Sequence, residues 1–87
     1  GTEIYLKVRV KKDDLKNMFS PSVLLLDDLS SDERYLENWE KMQWWRPDEA
    51  ETFLSGSKHL PGGAFMKILI DTTDPQNAII YMFWFDQ

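Results

Sequence analysis

Few side chains in this sequence have the types and spacing that catalysis requires. His59 is the single histidine, and Ser55 and Ser57 share its face only if residues 52–60 alternate as a strand. A serine nucleophile needs a base within hydrogen-bonding reach and a third group to orient that base, and no Gly-x-Ser-x-Gly motif is present. We therefore predict no catalytic residues and no enzymatic activity, with His59 at the surface near a turn.

The sequence also contains few residues that could bind a metal ion or a cofactor. The acid pairs Asp13-Asp14 and Asp27-Asp28 could bind calcium or transfer protons, but neither fits a calcium-loop spacing and adjacent side chains diverge. The chain contains no cysteine, which removes disulfides, thiolate nucleophiles and cysteine zinc sites. Residues 61–63 lack the Gly-x-x-x-x-Gly-Lys pattern of a phosphate loop and are predicted to form a turn. We predict neither a metal nor a cofactor.

Tryptophan is the residue type that most favours a binding role. The chain has four tryptophans in 87 residues, and such side chains can grip a sugar or a peptide. The alternative is packing, which we favour for Trp39 and for one member of the adjacent pair. On a helix, neighbours point about 100° apart, so both members of the pair cannot face the same core. The candidate partner or ligand surface consists of Trp44, Trp45, Arg46 and Trp84.

Length and charge bound the class of protein. A chain of 87 residues forms one domain, 1–87, with a thin core. The net charge of −5 is concentrated in residues 12–51, an acidic balance that argues against nucleic acid and against anionic lipid. No run approaches the roughly 20 apolar residues of a membrane span. The chain begins with Gly1 and not with methionine. One interpretation is that Gly1 remains from a cleaved tag and that a signal sequence or membrane anchor was removed upstream; the alternative is that no such segment was removed.

Four segments have the pattern of strands. Residues 3–11 alternate between apolar and basic or aromatic side chains, which predicts a half-buried strand that is basic on its wet face. Residues 64–71 and 78–85, joined by a polar loop, predict an antiparallel hairpin. Residues 52–60 predict a fourth strand, in which Gly56 indicates a bulge or a close backbone approach. Residues 78–85 are apolar throughout, so this strand should be interior and covered on both faces.

Two segments have signals for helices. Ser30 and Glu33 have the spacing of a capping box, and apolar residues recur at helical spacing after them, so we predict a main helix over 31–44. Asp13 can cap a short helix over 13–19 that ends before Pro21. Residues 23–26 could be a strand or a helical turn, and the conformation of residues 20–30 stays open. The prediction is an α+β domain with a four-stranded, mostly antiparallel sheet packed by the main helix.

The sequence resembles a group of small bacterial proteins of unknown function that often carry an N-terminal membrane or lipid anchor. The resemblance rests on the basic strand Ile4–Lys11, on Trp44-Trp45-Arg46-Pro47, and on the aromatic hairpin that closes the chain. It implies an extracytoplasmic or membrane-anchored domain, and it transfers no catalytic residues.

The expected function is therefore binding without catalysis. We expect a domain that binds another protein or a second copy of itself, because the strand over 78–85 needs cover on two faces and tryptophan is abundant. A region near residues 15–29 or a second copy could supply the second cover. The alternative is a small-molecule or glycan-binding module that uses an exposed tryptophan near Arg46.

Overall fold

An antiparallel sheet dominates the computed structural model, which describes residues 1–17 and 28–86. The sheet is formed by four strands: β1 (Thr2–Lys11), β2 (Phe53–His59), β3 (Phe65–Asp71) and β4 (Asn77–Asp86). Their order across the sheet is β1-β4-β3-β2, so β4 and β3 are central and β1 and β2 are the edges. Short 3-10 helices lie at Lys12–Asn17, Pro47–Glu49 and Pro61–Gly63.

The strand predictions are confirmed to within one or two residues at each end. The hairpin of β3 and β4 places Ile70 opposite Ile80 and Phe65 opposite Phe85. The interior position predicted for residues 78–85 is also confirmed, because β4 has β3 on one side and β1 on the other. A strand that is apolar on both sides can be buried only in such a central position.

Every pairing in the sheet joins two residues of the same parity. Val8 lies opposite Ile80, for example, and Lys7 lies opposite Tyr81. Directly opposite residues of an antiparallel pair share a face. The odd-numbered strand residues therefore form one face, here called the odd face, and the even-numbered residues form the even face.

Each face carries its own apolar core. The buried core of the even face consists of Leu29, Met66, Ile68, Ile70, Ala78 and Ile80. The buried core of the odd face consists of Leu36, Trp45, Ala50, Leu69, Tyr81 and Phe83. Leu36, Trp45 and Ala50 belong to no strand, so the chain between the bridge at Ser30 and β2 must cover the odd face.

The predicted α+β class is wrong, because residues 31–44 form no helix. The described chain is nearly all β, with only 3-10 turns beside the sheet. Residues 31–46 run irregularly over the odd face with turns at 39–40 and 43–44. Leu36 and Trp45 are both fully buried there, although they are nine positions apart. On a helix, residues nine apart project about 180° from each other, so an irregular chain can bury both against one sheet and a helix cannot.

Side chains satisfy the backbone of this segment in place of helical hydrogen bonds. The Asn38 amide donates to the Met42 carbonyl at 2.8 Å and accepts from the Met42 N–H at 2.9 Å. The Arg34 guanidinium donates to the carbonyls of Pro47 and Ala50 and lies 4.4 Å from the Phe53 ring centroid. An isolated 14-residue helix is marginal in water, so these contacts and the two buried side chains decide the conformation.

The short helix predicted over 13–19 is a 3-10 helix in its described part, Lys12–Asn17. Residues 18 and 19, the run 23–26 and Asp27 lie outside the described residues. Leu29 and Ser30 are described: Leu29 is buried on the even face, and Ser30 forms an isolated antiparallel bridge with Ser55. The Ser30 hydroxyl accepts a hydrogen bond from the Asp32 N–H at 2.9 Å, in a turn rather than in a capping box.

Candidate interaction surfaces

Trp45 is a core residue of the odd face. Its side chain is 1% exposed and meets Tyr5 and Tyr81 edge to face, with ring centroids 5.1 and 5.2 Å away. The indole N–H donates to the Glu37 carbonyl at 3.1 Å. Both the apolar ring and its single donor are therefore satisfied inside the domain, and Trp45 offers no surface to a ligand.

Trp44 and Arg46, the neighbours of Trp45, lie at the surface. Trp44 is 47% exposed, and its carbonyl accepts a hydrogen bond from the Lys7 ammonium at 2.9 Å. Arg46 forms an ion pair with Glu49, three residues on. The structure thus brings an exposed indole and a guanidinium into one segment and ties that segment to β1 through Lys7.

Trp84 lies on the opposite side of the sheet from Trp44. It is a half-buried residue of the even face, opposite Ile4 on β1 and Met66 on β3. The four residues of the predicted surface are therefore divided. Two lie at the surface of residues 31–46 (the covering segment), one is buried between this segment and the sheet, and one lies on the other face.

Trp39 is an exposed tryptophan that sequence reasoning assigned to packing. Half of its side chain is exposed, while its ring lies edge to face with Phe83 at 6.5 Å. The Lys67 ammonium lies 5.4 Å from the Trp39 ring centroid. The helical spacing that assigned Trp39 to the core does not apply to an irregular segment, and no other signal in the sequence marks this residue as exposed.

The outer edge of β1 carries unpaired backbone groups. The Lys12 N–H donates to the Gln76 carbonyl at 3.0 Å, which continues the β1–β4 ladder by one pair. Hydrogen-bonded and non-bonded pairs alternate in an antiparallel ladder, so the even residues of β1 bond to β4 and its odd residues direct N–H and C=O outward. Within residues 1–17 and 28–86, no strand or bridge pairs with that outer side.

The other edge of the sheet is partly occupied. Ser55 of β2 exchanges two backbone hydrogen bonds with Ser30, at 2.9 and 2.8 Å. Its hydroxyl accepts from the Tyr35 N–H and donates to the Ile68 carbonyl, so the middle of β2 is covered by the chain itself. Among the described residues, therefore, the outer side of β2 is partly paired and the outer side of β1 is not.

The even side of β1 is apolar and exposed near its start. Ile4 and Leu6 are 52% and 46% exposed, whereas Val8 and Val10 are half-buried. On the odd side, Tyr5 packs on Trp45, and Arg9 and Lys11 are exposed bases. The sequence predicted basic side chains on the wet face and apolar ones inside. The bases are exposed as predicted, but the apolar side chains at the start of β1 are exposed as well.

The residues considered for catalysis have structural partners. His59 packs on Phe65, with ring centroids 3.9 Å apart, and the Ser55 hydroxyl is committed to the two backbone groups described above. Asp13 and Asp14 are exposed in the first turn of a 3-10 helix. Across the described ranges, no three acidic or histidine side chains are grouped closely enough to hold a metal ion.

One open cleft lies at the far end of the sheet. It has a volume of about 480 Å³ and is lined by Lys11, Lys12, Asp13, Pro75, Gln76 and Asn77. Lys12 already uses its ammonium on the Thr72 carbonyl at 2.8 Å. The neighbouring Asp74 accepts from the N–H groups of Gln76 and Asn77, and these bonds lower its pKa. The cleft contains none of the four residues of the predicted surface.

Comparisons of the chain with protein-family models, with curated proteins and with solved structures returned no match. The candidate surfaces are therefore argued from geometry alone. Of the helices in the described part of the chain, none is long and apolar enough to cross a membrane.

Proposed function

We propose that this chain is a non-enzymatic binding domain that accepts a β-strand of another polypeptide against the outer edge of β1. The observation that carries the proposal is the edge itself. Along ten residues of regular strand, the odd residues present outward backbone groups that nothing in the described chain pairs. Strand addition to such an edge derives affinity from main-chain hydrogen bonds and specificity from alternate side chains.

Exposed apolar side chains beside this edge support the proposal. Edge strands are usually protected by charged side chains, bulges or prolines, because an unprotected edge pairs with other chains. On the odd side of β1, Lys7, Arg9 and Lys11 supply such charges. The first half of β1 has none of these on its even side, where Ile4 and Leu6 are exposed. An incoming strand would lie beside both residues and remove apolar surface from water.

Charge indicates what kind of strand would bind. On the odd face, β1 carries Lys7, Arg9 and Lys11, with Glu3 as its only acid. A strand with acidic residues on the matching face would pair with these bases, and opposite charges directly across two strands are favourable.

Amide hydrogen exchange tests this proposal directly. In dilute protein the outward amides of Tyr5, Lys7 and Arg9 should exchange fast, while the inward amides of Leu6 and Val8 stay protected. Adding a soluble decapeptide that alternates valine with glutamate should protect the outward set and leave the inward set unchanged. Outward amides that are already protected in dilute monomer would show a covered edge and overturn the proposal.

A second candidate function is small-molecule or glycan binding at Trp44. It is favoured by the half-exposed indole and by the position of Arg46 two residues along the same segment. Trp44→Ala should then abolish binding of a glycan with little effect on stability. Trp45→Ala is unsuitable for this test, because it removes a core side chain.

A further inference from the structure

We infer that the strand accepted by β1 is β1 of a second copy, lying antiparallel with Leu6 opposite Leu6. This inference rests on the proposed function, since it names the partner for the same edge. The two sheets would join into one continuous sheet of eight strands, four from each copy. A two-fold axis beside Leu6 relates the copies, as in most small homo-oligomers.

The backbone restricts the registers that two β1 strands can adopt. Only the odd residues direct N–H and C=O outward, so odd residues of one copy must face odd residues of the other. The two-fold axis must therefore pass beside a single residue. A slip of one residue would set odd residues against even ones and would place apolar side chains beside charged ones.

The charges of β1 then determine which of these single-residue axes is favourable. An axis at Lys7 sets Lys7 against Lys7, and an axis at Val8 sets Lys7 against Arg9. Like charges directly opposite are destabilising. An axis at Tyr5 avoids this conflict and sets Glu3 against Lys7, but within β1 it pairs only residues 2–8.

The axis at Leu6 pairs the longest stretch of β1, residues 2–10, with no like charges opposite each other. It places Glu3 opposite Arg9 of the second copy, twice by symmetry, and Tyr5 opposite Lys7. All of these are odd residues, so their backbones form the ladder, with about eight hydrogen bonds between Glu3 and Arg9.

The same register joins the exposed apolar side chains. Leu6 meets Leu6 across the axis, and Ile4 meets Val8, all on the even face. Leu6 occupies a non-hydrogen-bonded pair, in which the two Cα atoms lie about 4.5 Å apart. That distance is within the range that a disulfide can bridge.

Cysteine crosslinking tests the register, because the natural chain has no cysteine. Leu6→Cys should form a covalent dimer under mild oxidation, whereas Ile4→Cys, at a position that is slightly more exposed, should not, since its opposite residue is Val8. Equal crosslinking of the two variants, or crosslinking of Ile4→Cys alone, would overturn the register.

Charge reversal provides an independent test by sedimentation equilibrium from about 1 μM to about 1 mM. Glu3→Arg and Arg9→Glu should each weaken the dimer on the order of tenfold to a hundredfold, because two attractive pairs become repulsive. Mixing the two variants should restore a 1:1 dimer, since both pairs are again opposite in charge. Lys41→Glu, an exposed charge reversal outside β1, should dimerise like the natural chain.

The outcomes separate the inference from the proposed function. A natural chain that stays monomeric to about 1 mM while the acidic peptide still protects the outward amides refutes the second-copy inference and leaves strand binding intact. A mixture that fails to dimerise also refutes the inference. Outward amides protected at high dilution refute both.

Discussion

Replacing Trp45 should distinguish between two conformations of residues 31–44: the irregular packing that the structure shows and the helix that the sequence predicted. An aromatic side chain buries roughly 150–250 Å², so full removal of the Trp45 ring would cost about 4–6 kcal/mol at 25 cal/mol/Å² as an upper bound. At about 0.05–0.15 kcal/mol per residue, an 87-residue chain has a free energy of unfolding of about 4–13 kcal/mol. Trp45→Ala would therefore remove from about one third to all of the free energy of unfolding, so the milder variant Trp45→Phe is the one to measure.

Trp45→Phe keeps an aromatic ring and removes part of the indole and its N–H. The Glu37 carbonyl loses its donor, and the edge-to-face contacts with Tyr5 and Tyr81 are loosened. We expect a loss of about 1–3 kcal/mol in the free energy of unfolding. With a urea m-value near 1 kcal/mol/M for so small a domain, the midpoint should fall by about 1–3 M.

The assay is urea unfolding followed by far-UV circular dichroism, which does not depend on the number of tryptophans. Trp44→Phe and Trp39→Phe are matched controls, because both rings are about half exposed, and each should change stability by less than about 1 kcal/mol. A helix over 31–44 would bury Trp39 and leave Trp45 beyond its end. A large loss for Trp39→Phe together with a negligible loss for Trp45→Phe would refute the reasoning.

Three further measurements test other parts of the fold. Gly56→Ala should destabilise the protein by about 1–3 kcal/mol in urea unfolding, since the added Cβ would lie 2.8 Å from Leu29 Cδ2; a neutral result would mean that Leu29 does not rest on Gly56. Lys41→Gly should raise the free energy of unfolding by about 0.5–1 kcal/mol, because Lys41 has a φ of 53°; a loss of stability would contradict this. Burial, with a contribution from Asp71, raises the pKa of Tyr81 above 10.0. The neutral phenol therefore stabilises the fold fully below pH 10, and that contribution should be lost as pH rises through the higher folded pKa. Tyr81→Phe should flatten this alkaline loss of stability, and an unchanged pH profile would refute the assignment.

The strands were predictable because their signals are local. The alternation of β1, the turn at residues 61–63 and the unbroken apolar run of residues 78–85 depend only on neighbours in the sequence, and each matches a strand or turn. The central position of β4 also followed, since a strand that is apolar on both sides must be covered on both sides.

The helix prediction failed because its signal was local, whereas the conformation of residues 31–44 is determined by contacts with distant parts of the chain. Tyr35, Leu36, Trp39 and Met42 do recur at helical spacing, but Leu36 and Trp45 pack together against the odd face only along an irregular path. Tertiary packing overrides propensity when a segment is short. Nothing near residues 31–44 in the sequence indicates that Ser55 and Ala50 will supply acceptors for its backbone and for Arg34.

The candidate surface was predictable only in part. One of Trp44 and Trp45 was expected to be exposed, and the structure exposes Trp44 and buries Trp45, although the helix geometry behind that expectation does not apply. The exposed side of β1 could not be found in this way, because it depends on strand order. It also depends on what covers the even face, since Met82 and Trp84, opposite Leu6 and Ile4 on the central strand β4, are themselves only half-buried.

The pairing of β1 with β4 also determines how the domain responds to tension. Thr2 lies opposite Asp86, so the first and last strands meet at one corner of the sheet. A force that separates these two points loads the ladder one pair at a time, as in unzipping, instead of shearing all pairs together. The domain should therefore yield at low force when pulled by its ends. Peeling of β1 would withdraw Tyr5 from Trp45 within the first few pairs.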